Sequence, residues 1–88
     1  MNKLIITVPA KLDLKEITLY HNKHSKTYSK LLKKQLQTNM KNLLTYPNLG
    51  KQFKQLREIC YGNYRIIYTK IKNNIYIVRI IHCSMDFN

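Results

Sequence analysis

The chain has 88 residues, with 16 Lys or Arg against 4 Asp or Glu, which gives a formal net charge of +12. This length fits one small domain with a single core and excludes a two-domain enzyme. So large a positive charge destabilises a compact chain by self-repulsion unless an anionic partner is bound, and nucleic acid, an anionic membrane or an acidic protein could be that partner.

Two further features of the sequence exclude whole classes of protein. No apolar run approaches the roughly 18 residues that span a bilayer, and residues 1–11 are too short and too strand-like for a signal peptide, so a cytoplasmic protein is expected, with no membrane partner. Cys60 and Cys83 are the only cysteines. Because they form no CxxC or zinc-finger spacing, the sequence predicts two reduced thiols, no metal site and no cofactor.

The first predicted element is a strand at residues 3–8, "KLIITV", a short apolar run that is rich in β-branched residues and ends at Pro9. From Leu12, apolar residues recur at helical spacing and predict a helix that ends near Asn22. Asp13 then lies in the first turn, where the helix dipole favours a carboxylate.

A second helix is predicted to begin after Ser25, which can cap it, and to end before Pro47. Its apolar stripe consists of Tyr28, Leu32, Leu36, Met40 and Leu43. The lysines that lie mostly off the stripe are Lys30, Lys33, Lys34 and Lys41. A short loop joins the two helices, so they are expected to pack as antiparallel neighbours.

The remainder of the chain is predicted to be extended. A middle strand at residues 54–59 is followed by a turn at residues 61–63, a strand at residues 64–71 and a last strand at residues 76–82. The order β-α-α-β-β-β predicts an α+β fold in which a helical hairpin packs on one face of an antiparallel sheet and leaves the other face open.

The register of the last two strands decides which side chains share that open face. Asn73 and Asn74 are the best candidates for a two-residue type I′ turn, because asparagine tolerates positive φ. That turn places Arg65 opposite His82 on one face. A strand arginine most often lies over apolar neighbours, and a strand-end histidine is often unremarkable; a functional role is favoured because the two coincide on the open face of a +12 domain.

In the same register Arg79 points to the other face, opposite Tyr68, where a structural role is expected. A three-residue loop at residues 72–74 is the alternative. It would align Arg65 with Ile81 and bring Arg79 to the side of Arg65. The asparagines favour the first register.

The chain resembles the ParE/RelE superfamily of toxins from bacterial type II toxin-antitoxin systems, in four segments that follow one another in the expected order. The opening helix matches at Ala10, Asp13, Leu14, Ile17 and Tyr20. The Pro-x-x-Gly and Leu-Arg segments match at Pro47, Gly50, Leu56 and Arg57. The most specific segment, "GNYRIIY", matches at Gly62, Tyr64, Arg65 and Tyr68. The resemblance implies a toxin that an acidic cognate antitoxin holds inactive in a hetero-oligomer.

One branch of the superfamily, the RelE-like toxins, cuts messenger RNA in the ribosome, and the resemblance implies Arg65 and His82 as catalytic residues if this chain acts in that way. Arg65 supplies only a cation, because its guanidinium does not titrate in proteins. His82 can serve as acid or base, and the only other titrating candidates are Glu58 and Tyr61. The ending lacks the C-terminal arginine and tyrosine of that branch, and Glu58 stands near a position where RelE has lysine.

The other branch, the ParE-like toxins, poisons DNA gyrase and often ends in a His-x-x-Met-Asp motif, which His82, Met85 and Asp86 match, although Ser84 replaces a common arginine. A non-enzymatic gyrase inhibitor is therefore the favoured function, ahead of a ribosome-dependent endoribonuclease, a degenerate toxin that only binds its antitoxin, and a non-specific nucleic-acid binder. The residues expected to bind the target or the antitoxin are Arg57, Arg65, His82, Met85 and Asp86.

Overall fold

The computed structural model describes residues 2–85 and contains two helices and one mixed five-stranded sheet. The elements are β1 Leu4–Ile6, α1 Val8–Asn22, α2 Lys26–Thr45, β2 Lys51–Phe53, β3 Leu56–Tyr61, β4 Tyr64–Ile71 and β5 Asn74–His82. The strands lie in the order β1-β5-β4-β3-β2; β1 is parallel to β5, and all other pairs are antiparallel. The α+β class and the helical hairpin are confirmed.

The first helix begins earlier than predicted. Pro9 does not separate β1 from α1 but lies in the first turn of α1, where its missing N–H is not needed. Thr7 lies between β1 and α1, and its hydroxyl donates to the Ile77 carbonyl of β5 at 2.7 Å. The prediction of Asp13 in the first turn was therefore wrong: Asp13 lies in the interior of α1 and the first turn has no acidic residue.

The second helix has the predicted cap and nearly the predicted stripe. Ser25 accepts a hydrogen bond from the Tyr28 backbone N–H at 3.1 Å. The Tyr28 side chain is half exposed, so its assignment to the buried stripe was wrong; Ser29 is the buried residue in that turn. The Ser29 hydroxyl donates to the Thr18 carbonyl at 3.0 Å and so joins α2 to α1. The buried members of the predicted stripe are Leu32, Leu36, Met40 and Leu43.

One short strand was not predicted. Residues 54–59 were expected to form a continuous strand, but Lys54 has a φ of 56° and turns the chain between β2 and β3. No glycine or asparagine marks this turn in the sequence, since a lysine occupies the left-handed position. The middle strand therefore begins at Leu56, and β2 forms the edge of the sheet.

A hydrogen-bonded network around Tyr68 fixes the loop between α2 and β2. The Tyr68 hydroxyl accepts from the Gly50 N–H at 2.8 Å and donates to the Pro47 carbonyl at 2.9 Å. Arg57 donates to the Gly50 carbonyl at 2.7 Å. A Cβ on Gly50 would lie 2.6 Å from the Tyr68 hydroxyl and 2.7 Å from the Glu58 carbonyl, so no larger residue fits there without a shift. The Pro-x-x-Gly and Leu-Arg segments thus meet at one structural site.

Tyr68→Phe should lower the free energy of unfolding by about 1–3 kcal/mol, because it leaves the Gly50 N–H and the Pro47 carbonyl without their buried partner. Urea denaturation monitored by circular dichroism measures the loss. Tyr46→Phe is the matched control. Tyr46 is 63% exposed, so removing its hydroxyl leaves no buried group without a partner. Equal losses in the two variants would show that the Tyr68 hydroxyl does not hold the loop.

The main core lies between the helical hairpin and one face of the sheet. Its buried members are Ala10, Leu14, Leu32, Leu36, Met40, Leu43, Tyr64, Ile66, Tyr68, Ile75, Ile77 and Ile80. Ile67 and Ile81 are also buried but belong to no part of this cluster. Among the described residues, neither helix is both long and apolar enough to cross a membrane.

Candidate functional site

The turn between β4 and β5 decides which side chains of these two strands lie opposite each other. Ile71 pairs with Asn74, so the two-residue turn consists of Lys72 and Asn73, and Lys72 has a φ of 57°. The predicted length of the turn was right, but its position was wrong by one residue. Asn74 is part of β5, and its side-chain oxygen accepts from the Lys3 backbone N–H at 3.2 Å.

A β-bulge then shifts the register a second time. Tyr68 pairs with Ile77 but Ile67 pairs with Arg79, so Val78 has no direct partner on β4. The predicted pairing of Arg79 with Tyr68 was therefore wrong. No glycine or proline marks the bulge in the sequence, and nothing in the residue pattern of β5 predicts it.

Beyond the bulge Arg65 pairs with Ile81 and Tyr64 pairs with His82. The predicted pairing of Arg65 with His82 was thus wrong. The alternative pairing of Arg65 with Ile81 is the observed one, although a shifted turn and a bulge produce it rather than a three-residue loop. Because successive strand residues alternate between faces, Arg65 and His82 lie on opposite faces of the sheet.

Arg65 is engaged within the protein. Its Nε lies 2.6 Å from Glu58 Oε2. The Arg65 side chain is 15% exposed and the Glu58 side chain 16%. One of its terminal nitrogens donates to the Met85 carbonyl at 3.2 Å, and the guanidinium lies 5.0 Å from the centre of the Phe53 ring. Glu58 therefore neutralises the Arg65 charge, and Arg65 connects the segment after β5 to the sheet.

His82 is exposed, and Tyr64 and Ser84 orient its ring. The rings of His82 and Tyr64 meet edge to face with centroids 5.6 Å apart. The Ser84 backbone N–H donates to His82 Nδ1 at 3.1 Å, and the Ser84 hydroxyl lies 2.8 Å from the same nitrogen. Since Nδ1 accepts, a neutral ring carries its proton on Nε2, where it can donate to a partner.

Tyr64 also contacts a histidine that the sequence did not single out as functional. The Tyr64 hydroxyl and His21 Nε2 are 2.9 Å apart. Burial raises the pKa of the Tyr64 hydroxyl, with smaller contributions from Tyr28 and Tyr20, so this phenol stays protonated at neutral pH. It can therefore donate to His21. No sequence signal joins these residues, because 43 positions separate them.

A bidentate ion pair holds α1 against the end of β5. Arg79 donates to both oxygens of Asp13, from Nε at 2.7 Å and from a terminal nitrogen at 3.0 Å. The Ile80 backbone N–H also donates to Asp13, at 2.9 Å. The hydrogen bond to Asp13 raises the pKa of the Arg79 guanidinium further, so the guanidinium stays charged. The separation of 66 residues explains why sequence reasoning did not pair them.

Beside this ion pair lies an open cavity of about 200 Å³. It is lined by Asp13, Glu16, Ile17, Tyr20, Tyr64, Arg79, Ile80, Ile81, His82 and Met85. Met85 is 56% exposed and Tyr20 is 58% exposed, so the rim presents apolar surface to solvent. We call this surface, centred on His82 and Met85, the β5-end surface.

The structure brings together only part of the predicted set of site residues. His82 and Met85 meet at the β5-end surface. Arg65 touches the Met85 backbone but not the cavity, and Arg57 belongs to the network around Gly50. Asp86 lies outside the described residues. The binding roles of all five residues remain predictions.

Comparisons with known proteins identify a family and a solved structure with a similar fold. The profile of the family described as "ParE toxin of type II toxin-antitoxin system, parDE" matches residues 4–87. A solved structure from P. aeruginosa, described as its chromosomal ParDE TA system, has a similar fold with a TM-score of 0.79 at 17% identity. That likeness covers 93% of this chain and 96% of the other chain. No curated protein matches the sequence.

Proposed function

We propose, starting from the fact that this chain belongs to the ParE toxin family of type II toxin-antitoxin systems, that it inhibits DNA gyrase by binding it in the bacterial cytoplasm. As a member of that family the chain is a type II toxin. A cognate antitoxin neutralises it in a hetero-oligomer. The toxin inhibits gyrase by binding it and catalyses no reaction. The surface proposed to contact gyrase is the β5-end surface.

The observation that carries this proposal is the separation of Arg65 from His82. Cleavage of RNA by its own 2′-hydroxyl requires a base, an acid and a cation that stabilises the charge developing on phosphate. Arg65 is neutralised by Glu58, while His82 lies on the opposite face of the sheet. The described residues 2–85 therefore do not place the two expected groups around a single phosphate.

The exposure and chemistry of the β5-end surface support a binding role. His82 and Met85 are exposed on a short segment that Arg65 and Ser84 hold in place. Exposed apolar side chains beside a cavity with polar groups are typical of the anchor residues of protein interfaces.

Purified toxin should inhibit the supercoiling activity of gyrase, and substitution of the anchors should weaken that inhibition. We expect His82→Ala and Met85→Ala each to raise the half-inhibitory concentration about 10-fold or more, as expected for interface anchors. Leu31→Ala is the matched control, because Leu31 is 52% exposed on α2 and does not line the cavity. Supercoiling assays on relaxed plasmid measure these differences.

Expression of the toxin without its antitoxin distinguishes the remaining candidate functions. Under the proposal, DNA replication stops before translation and transcripts stay intact. Discrete new transcript ends within ribosome-bound codons, abolished by Arg65→Ala, would instead establish the endoribonuclease. Normal growth together with uninhibited gyrase would identify a degenerate toxin that only binds its antitoxin.

A further inference from the structure

The cavity at the β5-end surface differs in charge from the rest of the chain. Two of the four acidic residues, Asp13 and Glu16, line it. Among the described residues, none of the lysines that dominate the net charge of +12 does so. A second cavity, of about 370 Å³ and also lined by α1, has the opposite character, with Lys11, Lys15 and Lys33 in its lining. The first cavity therefore has the electrostatic character that suits a cation.

The excess negative charge of this cavity belongs to Glu16. Asp13 forms the bidentate ion pair with Arg79, so the two carboxylates and the one guanidinium of the lining leave a single negative charge in excess. Glu16 is exposed, and within residues 2–85 it forms no ion pair. Positions three and four residues away on a helix are neighbours. For Glu16 these are Leu12, Asp13, Leu19 and Tyr20. None of them is basic, so the Glu16 carboxylate is open to an external cation.

An aromatic ring lies beside this carboxylate. Tyr20 follows Glu16 by one helical turn on the same side of α1 and is 58% exposed. Its ring meets the His21 ring edge to face, with centroids 5.0 Å apart. A guanidinium can form two parallel hydrogen bonds with a carboxylate and stack on an aromatic ring, whereas an ammonium is a more strongly hydrated point charge. The cavity therefore favours arginine over lysine.

We propose that this cavity receives an arginine side chain of gyrase, whose guanidinium binds Glu16 and stacks on Tyr20 while its methylene groups contact Met85. The identity of the partner rests on the proposed function, whereas the preference of the cavity for a guanidinium does not. The antitoxin segment expected from the charge of the chain is rich in Asp and Glu, so it is not complementary to this cavity.

The first test uses small probes and no gyrase. Propylguanidinium and its uncharged isostere propylurea are each titrated into the isotopically labelled toxin at low salt, and amide chemical shifts are followed by NMR. With propylguanidinium we expect saturable shifts that centre on Glu16, Tyr20 and His82, and with propylurea none. Glu16→Gln should weaken binding about 2- to 5-fold, as for an exposed ion pair. Equal shifts with the two probes, no saturable shift, or equal affinity in Glu16→Gln would overturn the preference for a guanidinium.

The second test measures inhibition of gyrase supercoiling. Glu16→Lys should raise the half-inhibitory concentration about 10-fold or more, because a lysine at this position repels the partner's arginine. Glu16→Gln should raise it by a smaller factor. Lys15→Glu is the matched control, since it reverses the charge of the adjacent residue, which lines the second cavity. It should leave the half-inhibitory concentration nearly unchanged.

Both positions are exposed, so thermal melting should show that all three variants fold as the unchanged chain does. Inhibition by Glu16→Lys equal to that of the unchanged toxin, or equal losses in Glu16→Lys and Lys15→Glu, would overturn the arginine contact with gyrase. If the unchanged toxin does not inhibit gyrase, the proposed function itself fails. The probe titration then still decides whether the cavity binds a guanidinium.

Discussion

Leu36→Ala is expected to lower the free energy of unfolding by about 2–5 kcal/mol, because it removes most of a fully buried side chain and leaves a cavity between α2 and the sheet. Leu36 has no exposed surface and lies in the middle of the buried stripe. Urea denaturation at equilibrium measures the loss as a lower midpoint with an unchanged slope.

Leu31→Ala is the control for this prediction, since it makes the same chemical change on the same helix at a residue that is 52% exposed. Lys34→Ala, at an exposed position, tests the polar face of α2 in the same way. Both should change the free energy of unfolding by less than about 0.5 kcal/mol. If either costs as much as Leu36→Ala, the orientation of α2 on the sheet is wrong.

The second large effect concerns the affinity for the antitoxin. The net charge of +12 should attract a short partner segment rich in Asp and Glu, and this attraction should weaken as salt is added. Arg65 is among the residues expected from the sequence to bind the target or this partner. Because Glu58 already neutralises Arg65, we assign most of the long-range attraction to exposed lysines. Lys26 is the first residue of α2, and the exposed lysines within the helix are Lys30, Lys33, Lys34 and Lys41.

Replacing these four lysines with glutamine should weaken antitoxin binding about 10-fold or more at low salt, mostly through slower association, and should flatten its salt dependence. Replacing the same four with arginine keeps the charge and should leave both quantities unchanged. Stopped-flow association with the product of the neighbouring gene measures the rates. An unchanged salt dependence in the glutamine variant would place the attraction elsewhere. Failure of the unchanged toxin to bind even at low salt would remove the antitoxin from the proposal.

The sequence by itself determined the elements whose signals are local. The stripe from Leu32 to Leu43 predicted α2 and its buried face, and Ser25 predicted its cap, because helical spacing and capping involve residues that are near in sequence. The bounds of β4 were right for a similar reason, since a dense apolar and β-branched run lies between turn residues. The matched segments gave the family, which the family profile then supported.

Only the tertiary structure decided which side chains meet. A shift of the turn by one residue and a bulge at Val78 move Arg65 away from His82, and a register error of one residue moves a side chain to the other face. Next to the bulge, Asp13 on α1 binds Arg79 and the Ile80 N–H. Those partners are more than 60 positions apart in the sequence, so the spacing of apolar residues along the chain does not predict their contact. The chain thus encodes its elements locally, while the geometry of its site follows from their assembly.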